Sequence, residues 1–271
     1  RHPEQIICLC GCMAQEPHIA EKIRQSYRHV DLVFGPQLLW QFPQLLLDRL
    51  TSGKRVFATE DVPGAVAEGI PVVRQNRQKA WVSIMYGCNN FCSYCIVPYV
   101  RGREKSRPLD DIAAEARSYV EAGVKEITLL GQNVNSYGRD LYGEPRFADV
   151  LRAVDAAGIE RLRFATSHPK DLTDEVIGLF ATLPSLMPAL HLPVQSGSDA
   201  VLAAMNRRYT RDHYRALVAK LRDDVPDIAL STDIIVGFPG ETAKDFEDTY
   251  RLVDEVGSVS YTHLTLPTNS L

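Results

Sequence analysis

Three cysteines lie within eight residues of the stretch YGCNNFCSYCIVPYVRG, which covers residues 86–102. Cys88, Cys92 and Cys95 follow the spacing C-x-x-x-C-x-x-C, and the remaining cysteines end at Cys12, far upstream. A closed zinc site takes four ligands, and a ferredoxin-type cluster takes four cysteines. A loop with three thiolates therefore either borrows a distant ligand or leaves one iron open for a substrate or cofactor.

Charge around this loop is positive, although the chain as a whole is not. The formal net charge is −4, so the global charge does not indicate nucleic acid. Between residues 72 and 107, seven Lys and Arg residues stand against Glu104 alone, which gives +6. Beside a reactive cysteine cluster, this balance favours a polyanion partner over a merely solvated surface. We expect a cytosolic chain, in which closely spaced cysteines indicate metal or redox chemistry more than disulfides.

The elements that position these cysteines alternate between strands and helices. The N-terminal part reads strand, helix, strand, helix, which indicates part of a parallel α/β domain. Further along, βα units recur at intervals of roughly 30 residues, as in a barrel or a doubly wound sheet. The predicted regions are a first domain over 1–59, a linker over 60–79, a barrel domain over 80–261 and a divergent tail over 262–271.

Polar loops follow five successive predicted strands. Cys88 follows the first strand, and the segments GQNVNSYG, TSHP, VQSGSD and GFPGET follow the next four. Ligands of parallel α/β folds bind at the carboxyl ends of strands, so these loops predict one shared site. After the last loop, Thr242 with Asp245 three residues later predicts a capped helix, and residues 258–264 predict a sixth strand.

The cysteine spacing resembles that of the radical S-adenosylmethionine (SAM) superfamily. The segments GCNNFCSYCIVPYVRGREKSRP, LLGQNVNSYG, RFATSHP, HLPVQSGSD and DIIVGFPGET are further similar to methylthiotransferases of the MiaB type. The resemblance covers residues 5–261. It implies an α/β fold, namely a partial (β/α)6 radical SAM barrel preceded by the C-terminal part of a parallel α/β domain. It also implies addition of a methylthio group to C2 of N6-isopentenyladenosine next to the tRNA anticodon.

The same resemblance implies two iron–sulfur clusters. Cys88, Cys92 and Cys95 would hold the radical-generating 4Fe–4S cluster. The open iron of this cluster would bind SAM. Cys12 matches one ligand of a second 4Fe–4S cluster, whose other two ligands would lie upstream of Arg1. Cys8 and Cys10 alternate on the first strand with Cys12, and we interpret them as buried small apolar residues.

Residues of the later loops would bind SAM. The cofactor-binding residues that the resemblance implies are Gln132, Asn133, Ser167, His191, Gln195, Arg207, Gly237 and Glu241. Gln132 and Asn133 would meet the amino group of SAM, and Arg207 would pair with its carboxylate. For the first two residues, an Asn-rich turn is the structural alternative.

The remaining roles are also implied by the resemblance. Ser167, with His168, would form a wall of the cofactor or substrate site. His191 and Gln195 would bond the ribose or the transferring sulfur. The backbone of Gly237 to Glu241 would approach adenine, although a tight turn is the alternative explanation of its glycines.

The resemblance extends to partners. It implies binding of the tRNA anticodon stem-loop, with residues 101–107 in contact with its phosphates. It also implies an electron donor such as flavodoxin or ferredoxin. We expect a cytoplasmic monomer without a membrane partner. The start of the chain and its divergent tail lead us to expect a fragment, without the C-terminal RNA-binding barrel of the family and without full activity.

Two alternatives remain open from the sequence. One is a related methylthiotransferase that acts on threonylcarbamoyl adenosine or on a ribosomal protein. The other is a non-catalytic iron–sulfur module for electron transfer or metal binding, which would need a fourth protein ligand at the cysteine loop.

Overall fold

A computed structural model of the chain describes residues 4–59, 73–74 and 76–265. These residues form two compact units. The first unit comprises the described part of Arg1–Val72, with Gly87–Asn89 and Ile96–Lys105; the second comprises the described part of Val73–Tyr86, Asn90–Cys95 and Ser106–Leu271. The chain thus changes unit inside the cysteine loop. The predicted linker over 60–79 lies largely outside the described residues, as does the end of the tail, 266–271.

The first unit contains a three-stranded parallel sheet with β2 in the centre. Its elements are β1 (Cys8–Cys10), α1 (Cys12–Gln15), α2 (Pro17–Ser26), β2 (Leu32–Phe34), a 3-10 helix (Pro36–Gln41), α3 (Phe42–Ser52), β3 (Val56–Ala58) and α4 (Val97–Val100). Parallel neighbours need a crossover connection, which α2 and α3 provide. Pro43 lies in the first turn of α3, where its missing N–H has no helical partner to lose.

Cys8 and Cys10 are exposed, so the prediction that they are buried is wrong. The reason is the place of β1 in the sheet. Among the described residues β1 pairs with β2 alone, whereas β2 is buried along its whole length. An edge strand lacks the second neighbour that covers a central strand, and even Leu9 between the two cysteines is 39% exposed.

The second unit is a partial barrel of parallel strands. The strands from residue 79 onward are β4 (Lys79–Ser83), β5 (Met85–Tyr86), β6 (Lys105–Ser106), β7 (Glu126–Leu130), β8 (Arg161–Phe164), β9 (Ala189–His191), β10 (Ala229–Val236) and β11 (Ser260–Thr265), of which β5 and β6 form a separate two-stranded sheet. Two parallel sheets have the orders β4-β7-β8 and β9-β10-β11. A parallel bridge between Leu162 and Leu186 joins β8 to the segment that enters β9. Within the described range β4 and β11 do not pair, so the barrel stays open.

Helices connect these strands on the outside, as the βα pattern predicts. They are α5 (Leu109–Glu121), α6 (Arg139–Tyr142), α7 (Phe147–Asp155), α8 (Asp174–Thr182), α9 (Asp199–Ala204), α10 (Arg211–Asp224) and α11 (Ala243–Val256). The capping box of Thr242 and Asp245 at the start of α11 is confirmed. Thr173 caps α8 and Thr210 caps α10, each accepting a hydrogen bond from a backbone N–H of the first turn.

The core of this unit lies between strands and helices. Ile127 and Leu162 on strands, and Ile112, Leu151 and Ile177 on helices, are fully buried. Each such side chain contributes roughly 1.5–3 kcal/mol of transfer free energy. This layer holds the carboxyl ends of the strands in place.

The predicted sixth strand is confirmed as β11, which runs parallel to β10 from Ser260 to Thr265. No helix in the described part of the chain is long and apolar enough to cross a membrane.

Gly197 tests how tightly α11 packs on the loop after β9. A Cβ at Gly197 would lie 2.5 Å from the backbone oxygen of Asp248 and 2.6 Å from Cα of Thr249. We expect Gly197→Ala to lower the free energy of unfolding by about 1–3 kcal/mol, because α11 must move. Urea unfolding measures this loss.

Gly178→Ala is the matched control. Gly178 lies inside α8, and a Cβ there would meet nothing within 4 Å. This substitution should raise the free energy of unfolding by about 0.5–1 kcal/mol, since alanine is the better helix former. Equal effects of the two substitutions would contradict the close packing of α11.

Candidate functional site

The second half of the cysteine loop, residues 90–95, is fixed to the end of α9. Asn206 donates from Nδ2 to the backbone oxygens of Asn90 at 3.0 Å and Phe91 at 2.9 Å. The Ser93 hydroxyl donates to the Ala204 oxygen at 3.0 Å. These bonds give the loop a defined shape before any ligand is considered.

Two of the predicted cluster ligands lie in this half. The Cys95 N–H donates to the Cys92 oxygen at 2.9 Å, which makes a tight turn between the two thiols. Cys92 is buried and Cys95 is partly exposed. Tyr94 between them packs against Met205 and Ile235. Burial raises the pKa of its phenol, despite the opposing charge of Arg207.

Cys88 belongs to the first unit, where it is buried. Its N–H donates to the Gly102 oxygen at 3.2 Å. The preceding Gly87 has φ of 76°, and a Cβ there would lie 2.1 Å from the Arg103 oxygen. Only glycine fits this position, because both the left-handed backbone and the close approach exclude a side chain.

The three thiols suit an iron–sulfur cluster by their chemistry. A cluster places its thiolates on different irons, and soft thiolates are its usual ligands.

Arg207 lies against Cys92 and is buried to 5% exposure. Its Nη1 points to the Cys92 sulfur at 3.7 Å, and its Nη2 donates to the Pro193 oxygen at 2.7 Å. Its Nε donates to the Tyr209 hydroxyl at 3.2 Å. Arg208 is exposed, so the two neighbouring arginines have different surroundings, and it is Arg207 whose side chain contacts the cysteine loop.

A polar network continues from Arg207 to the loop after β8. The Tyr209 hydroxyl donates to the Val194 oxygen at 2.6 Å, and the Tyr209 ring meets the His168 ring edge-on, with centroids 5.7 Å apart. The backbone N–H of His168 donates to Oδ1 of Asn135, in the loop after β7, at 3.0 Å. Three post-strand loops are therefore connected in one buried neighbourhood.

Asp171 anchors the predicted residue Asn133 in this neighbourhood. Asn133 donates from Nδ2 to the Asp171 carboxylate at 2.8 Å. The Arg139 guanidinium, at 3.0 Å, also contacts this carboxylate. Lys170 lies 3.4 Å from it and donates to the Asn90 side chain at 2.8 Å, which ties this loop to the cysteine loop.

Several buried polar atoms in these loops have no hydrogen-bond partner among the described residues. They are Asn133 Oδ1, Asn135 Nδ2, Ser167 Oγ, His168 Nε2 and Gln195 Oε1. An unpaired buried polar group costs about 1–3 kcal/mol. Five of them in connected loops fit a polar ligand such as SAM, which offers amino, carboxylate, hydroxyl and adenine groups.

The backbone of these loops is unusual at the same places. Thr166, Gln195, Asn206 and Arg208 adopt positive φ without being glycine, with values between 57° and 71°, and Phe91 does so at 49°. Such conformations cost free energy and are concentrated at functional sites.

His191 lies apart from this network, on the inner face of the barrel. A cavity of about 520 Å³ there is lined by residues that include Trp81, Arg163 and His191. His191 contacts the Ser231 hydroxyl through Nδ1 at 3.0 Å and the Asp233 carboxylate through Nε2 at 3.3 Å. Both ring nitrogens are therefore engaged within the protein.

The other predicted cofactor residues have local contacts. Gln132 is partly exposed after β7. Gly237 is exposed at φ of 74°, and its N–H donates to Oε2 of Glu241 at 2.5 Å. The Glu241 carboxylate thus closes the turn and leaves Oε1 unpartnered within the described chain. Cys12 is partly exposed at the start of α1 in the first unit.

Arg107 does not belong to the phosphate-binding stretch predicted over 101–107. It is buried, its Nη1 donates to the Ser83 oxygen at 2.6 Å, and it pairs with Glu115 at 2.8 Å. Lys105 and Arg101 are partly exposed, and Arg103 is exposed. Arg107 instead links the segment that precedes α5 to the end of β4 through its hydrogen bond to Ser83.

Sequence reasoning missed Asn135, Tyr209 and Asp171 as site residues. Asn135 and Tyr209 lie two residues beyond Asn133 and Arg207, so a search of whole loops would have found them. Asp171 gives no such signal, because its role depends on partners in other loops.

The family model described as the Radical SAM superfamily matches residues 82–253. The chain belongs to the radical SAM superfamily. Membership implies a 4Fe–4S cluster and SAM, for which the thiols and the unpaired polar atoms described above are suitable.

Two curated relatives give a closer comparison. The chain is 52% identical over 94% of its length to the tRNA-2-methylthio-N(6)-dimethylallyladenosine synthase of Acetivibrio thermocellus, and covers 53% of that protein. It is 51% identical over 94% of its length to the synthase of the same name from Clostridioides difficile, and covers 54% of it. The chain thus spans about half the length of these relatives.

A solved structure supports the fold. The radical S-adenosylmethionine methyltransferase TsrM from Kitasatospora setae matches with a TM-score of 0.64 and 15% identity, over 94% of this chain and 61% of that chain. At this identity the likeness concerns the fold alone.

His168 predicts an acid-sensitive stability. Burial, with the charges of Arg207 and Lys170, lowers its pKa to about 2. Its Nδ1 accepts from the Lys170 N–H, so the neutral ring carries its proton at Nε2. The unfolded chain binds a proton near pH 6.5 and the folded chain does not, so stability falls as pH decreases below that value.

The expected result is a difference between wild type and His168→Gln. Between pH 7 and 5, wild type should lose up to roughly 2 kcal/mol more free energy of unfolding than the variant, at about 1.4 kcal/mol per pH unit. Urea unfolding at several pH values measures it. His18→Gln, at an exposed side chain of the first unit, is the control and should follow the wild-type curve. Parallel curves for wild type and His168→Gln would contradict a buried neutral imidazole.

Proposed function

We propose that this chain carries the radical SAM core of a tRNA methylthiotransferase, which adds a methylthio group to C2 of N6-isopentenyladenosine next to the anticodon. The observation that carries the proposal is the similarity to the curated synthases. It runs through both units, whereas the superfamily match covers only residues 82–253. A second 4Fe–4S cluster, with Cys12 among its ligands, would belong to the full-length protein.

In this proposal the cysteine loop holds the radical-generating cluster. The ligands would be Cys88, Cys92 and Cys95. With SAM, the bound cluster supplies a 5′-deoxyadenosyl radical, and the protein provides its position. Residues 90–95, which include Cys92 and Cys95, are already held by Asn206, so binding does not have to order this half of the loop.

The unpaired atoms of the post-strand loops would bind SAM. The neutral His168 ring donates from Nε2, and Asn133 and Gln195 accept through their free amide oxygens. The Ser167 hydroxyl can do either. These groups distinguish the polar ends of a nucleoside cofactor from an apolar ligand, because each would otherwise remain unpaired.

The partners follow from the same proposal. Arg101, Arg103 and Lys105 would contact tRNA phosphates, with affinity that falls steeply with salt. A flavodoxin or ferredoxin would deliver electrons. The monomeric state and the cytoplasmic location remain predictions.

Cys88→Ala tests the cluster assignment in the full-length protein. We expect loss of SAM cleavage and of methylthio insertion, because one of three cluster thiolates is gone, while tRNA binding is kept. Product 5′-deoxyadenosine and a tRNA filter-binding assay measure both. Cys10→Ala, at an exposed thiol of β1, should keep SAM cleavage. Loss of tRNA binding without loss of cleavage would contradict the role of Cys88.

Two further experiments separate the alternatives that the sequence left open. Adding SAM to the reduced protein should change the electron paramagnetic resonance signal of the cluster, whereas an electron-transfer module with four protein ligands would leave it unmoved. Mass analysis of tRNA and of ribosomal protein from a deletion strain would show which substrate loses its methylthio group.

A further inference from the structure

Arg207 is a buried cation without a carboxylate partner. None of the ion pairs found in the described residues involves Arg207. Its nitrogens instead address the Pro193 oxygen at 2.7 Å, the Tyr209 hydroxyl at 3.2 Å and the Cys92 sulfur at 3.7 Å. Two of these partners are neutral, so the thiol is the one that can become an anion.

The guanidinium remains charged in this place. Burial disfavours the charge, but an arginine guanidinium keeps its proton in proteins. Taking an ion out of water costs several kcal/mol unless a counter-charge compensates. A thiolate at Cys92 would supply that counter-charge.

The geometry around Arg207 also fixes its direction. The Tyr209 hydroxyl accepts from Nε and donates to the Val194 oxygen, at 3.2 and 2.6 Å. The Tyr209 ring lies 5.3 Å from the guanidinium carbon. Nη1 is therefore held toward the sulfur, and the residue has little freedom to turn to another ligand.

We propose that Arg207 is a positioning residue that donates a charge-assisted N–H···S bond to Cys92 and thereby raises the reduction potential of the cluster. The inference rests on the proposed function, because it needs a cluster bound through Cys92. Hydrogen bonds to cluster sulfurs and local charge set such potentials. A cation beside the ligand sulfur stabilises the reduced form, which has gained one electron.

This role differs from the pairing of Arg207 with the SAM carboxylate. A residue that binds only SAM has no influence on the cluster when SAM is absent. A residue that bonds to a ligand thiolate changes the potential with or without SAM. The midpoint potential of the SAM-free protein therefore distinguishes the two roles.

The test is a redox titration, without SAM, of the full-length reconstituted protein carrying Cys12→Ala, which removes a ligand of the proposed second cluster; the reference protein and all variants carry this change. Dithionite supplies one electron per cluster, and the electron paramagnetic resonance signal of the reduced cluster reports the midpoint. We expect Arg207→Gln to have a lower midpoint than wild type, and Arg207→Lys, which keeps the charge but not the fork, to lie between them. Arg208→Gln, at the exposed neighbour, should match wild type.

Equal midpoints of Arg207→Gln and wild type, at equal iron content, would overturn the inference, even if the Kd for SAM rises. If Arg207→Gln does not fold, Tyr209→Phe decides, because it removes the hydroxyl that orients the guanidinium. Tyr209→Phe should lower the midpoint potential less than Arg207→Gln is expected to. An unchanged midpoint in Tyr209→Phe would overturn the inference. A wild-type protein that binds no cluster would instead overturn the proposed function as well.

Discussion

Parallel pairing of the barrel strands is the constraint on which the site depends. Because β4, β7, β8, β9 and β10 all run in one direction, the segment after each strand emerges at the same rim. The helices between them return the chain on the outside. Residues as far apart as Asn133, His168 and Arg207 thus become neighbours without any direct sequence signal linking them.

The polar groups of this rim are less completely hydrogen-bonded than those of the layer of strands and helices beneath it. Strand and helix side chains such as Ile127 and Leu151 are fully buried and apolar, whereas the loops above contain buried polar atoms without partners and backbone in the left-handed region. Proteins accept such local costs where a ligand repays them. The stable layer therefore offsets the strain of the binding layer.

Local signals in the sequence predicted much of this arrangement. The βα alternation, the cap at Thr242 and the strand at residues 258–264 depend on neighbours along the chain, and the structure confirms them. The burial of Cys8 and the exposure of Arg107 were predicted wrongly, because they depend on the edge position of β1 and on the distant acid Glu115. Composition cannot reveal which partner a side chain meets across the fold.

The clamp from Asn206 onto the cysteine loop has a consequence for biosynthesis. Asn206 and Asn90 are separated by 116 residues. At about 5–20 residues per second, the ribosome needs roughly 6 to 23 s to make the segment between them. The loop over residues 90–95 can therefore take its folded shape only after the later half of the barrel has been made.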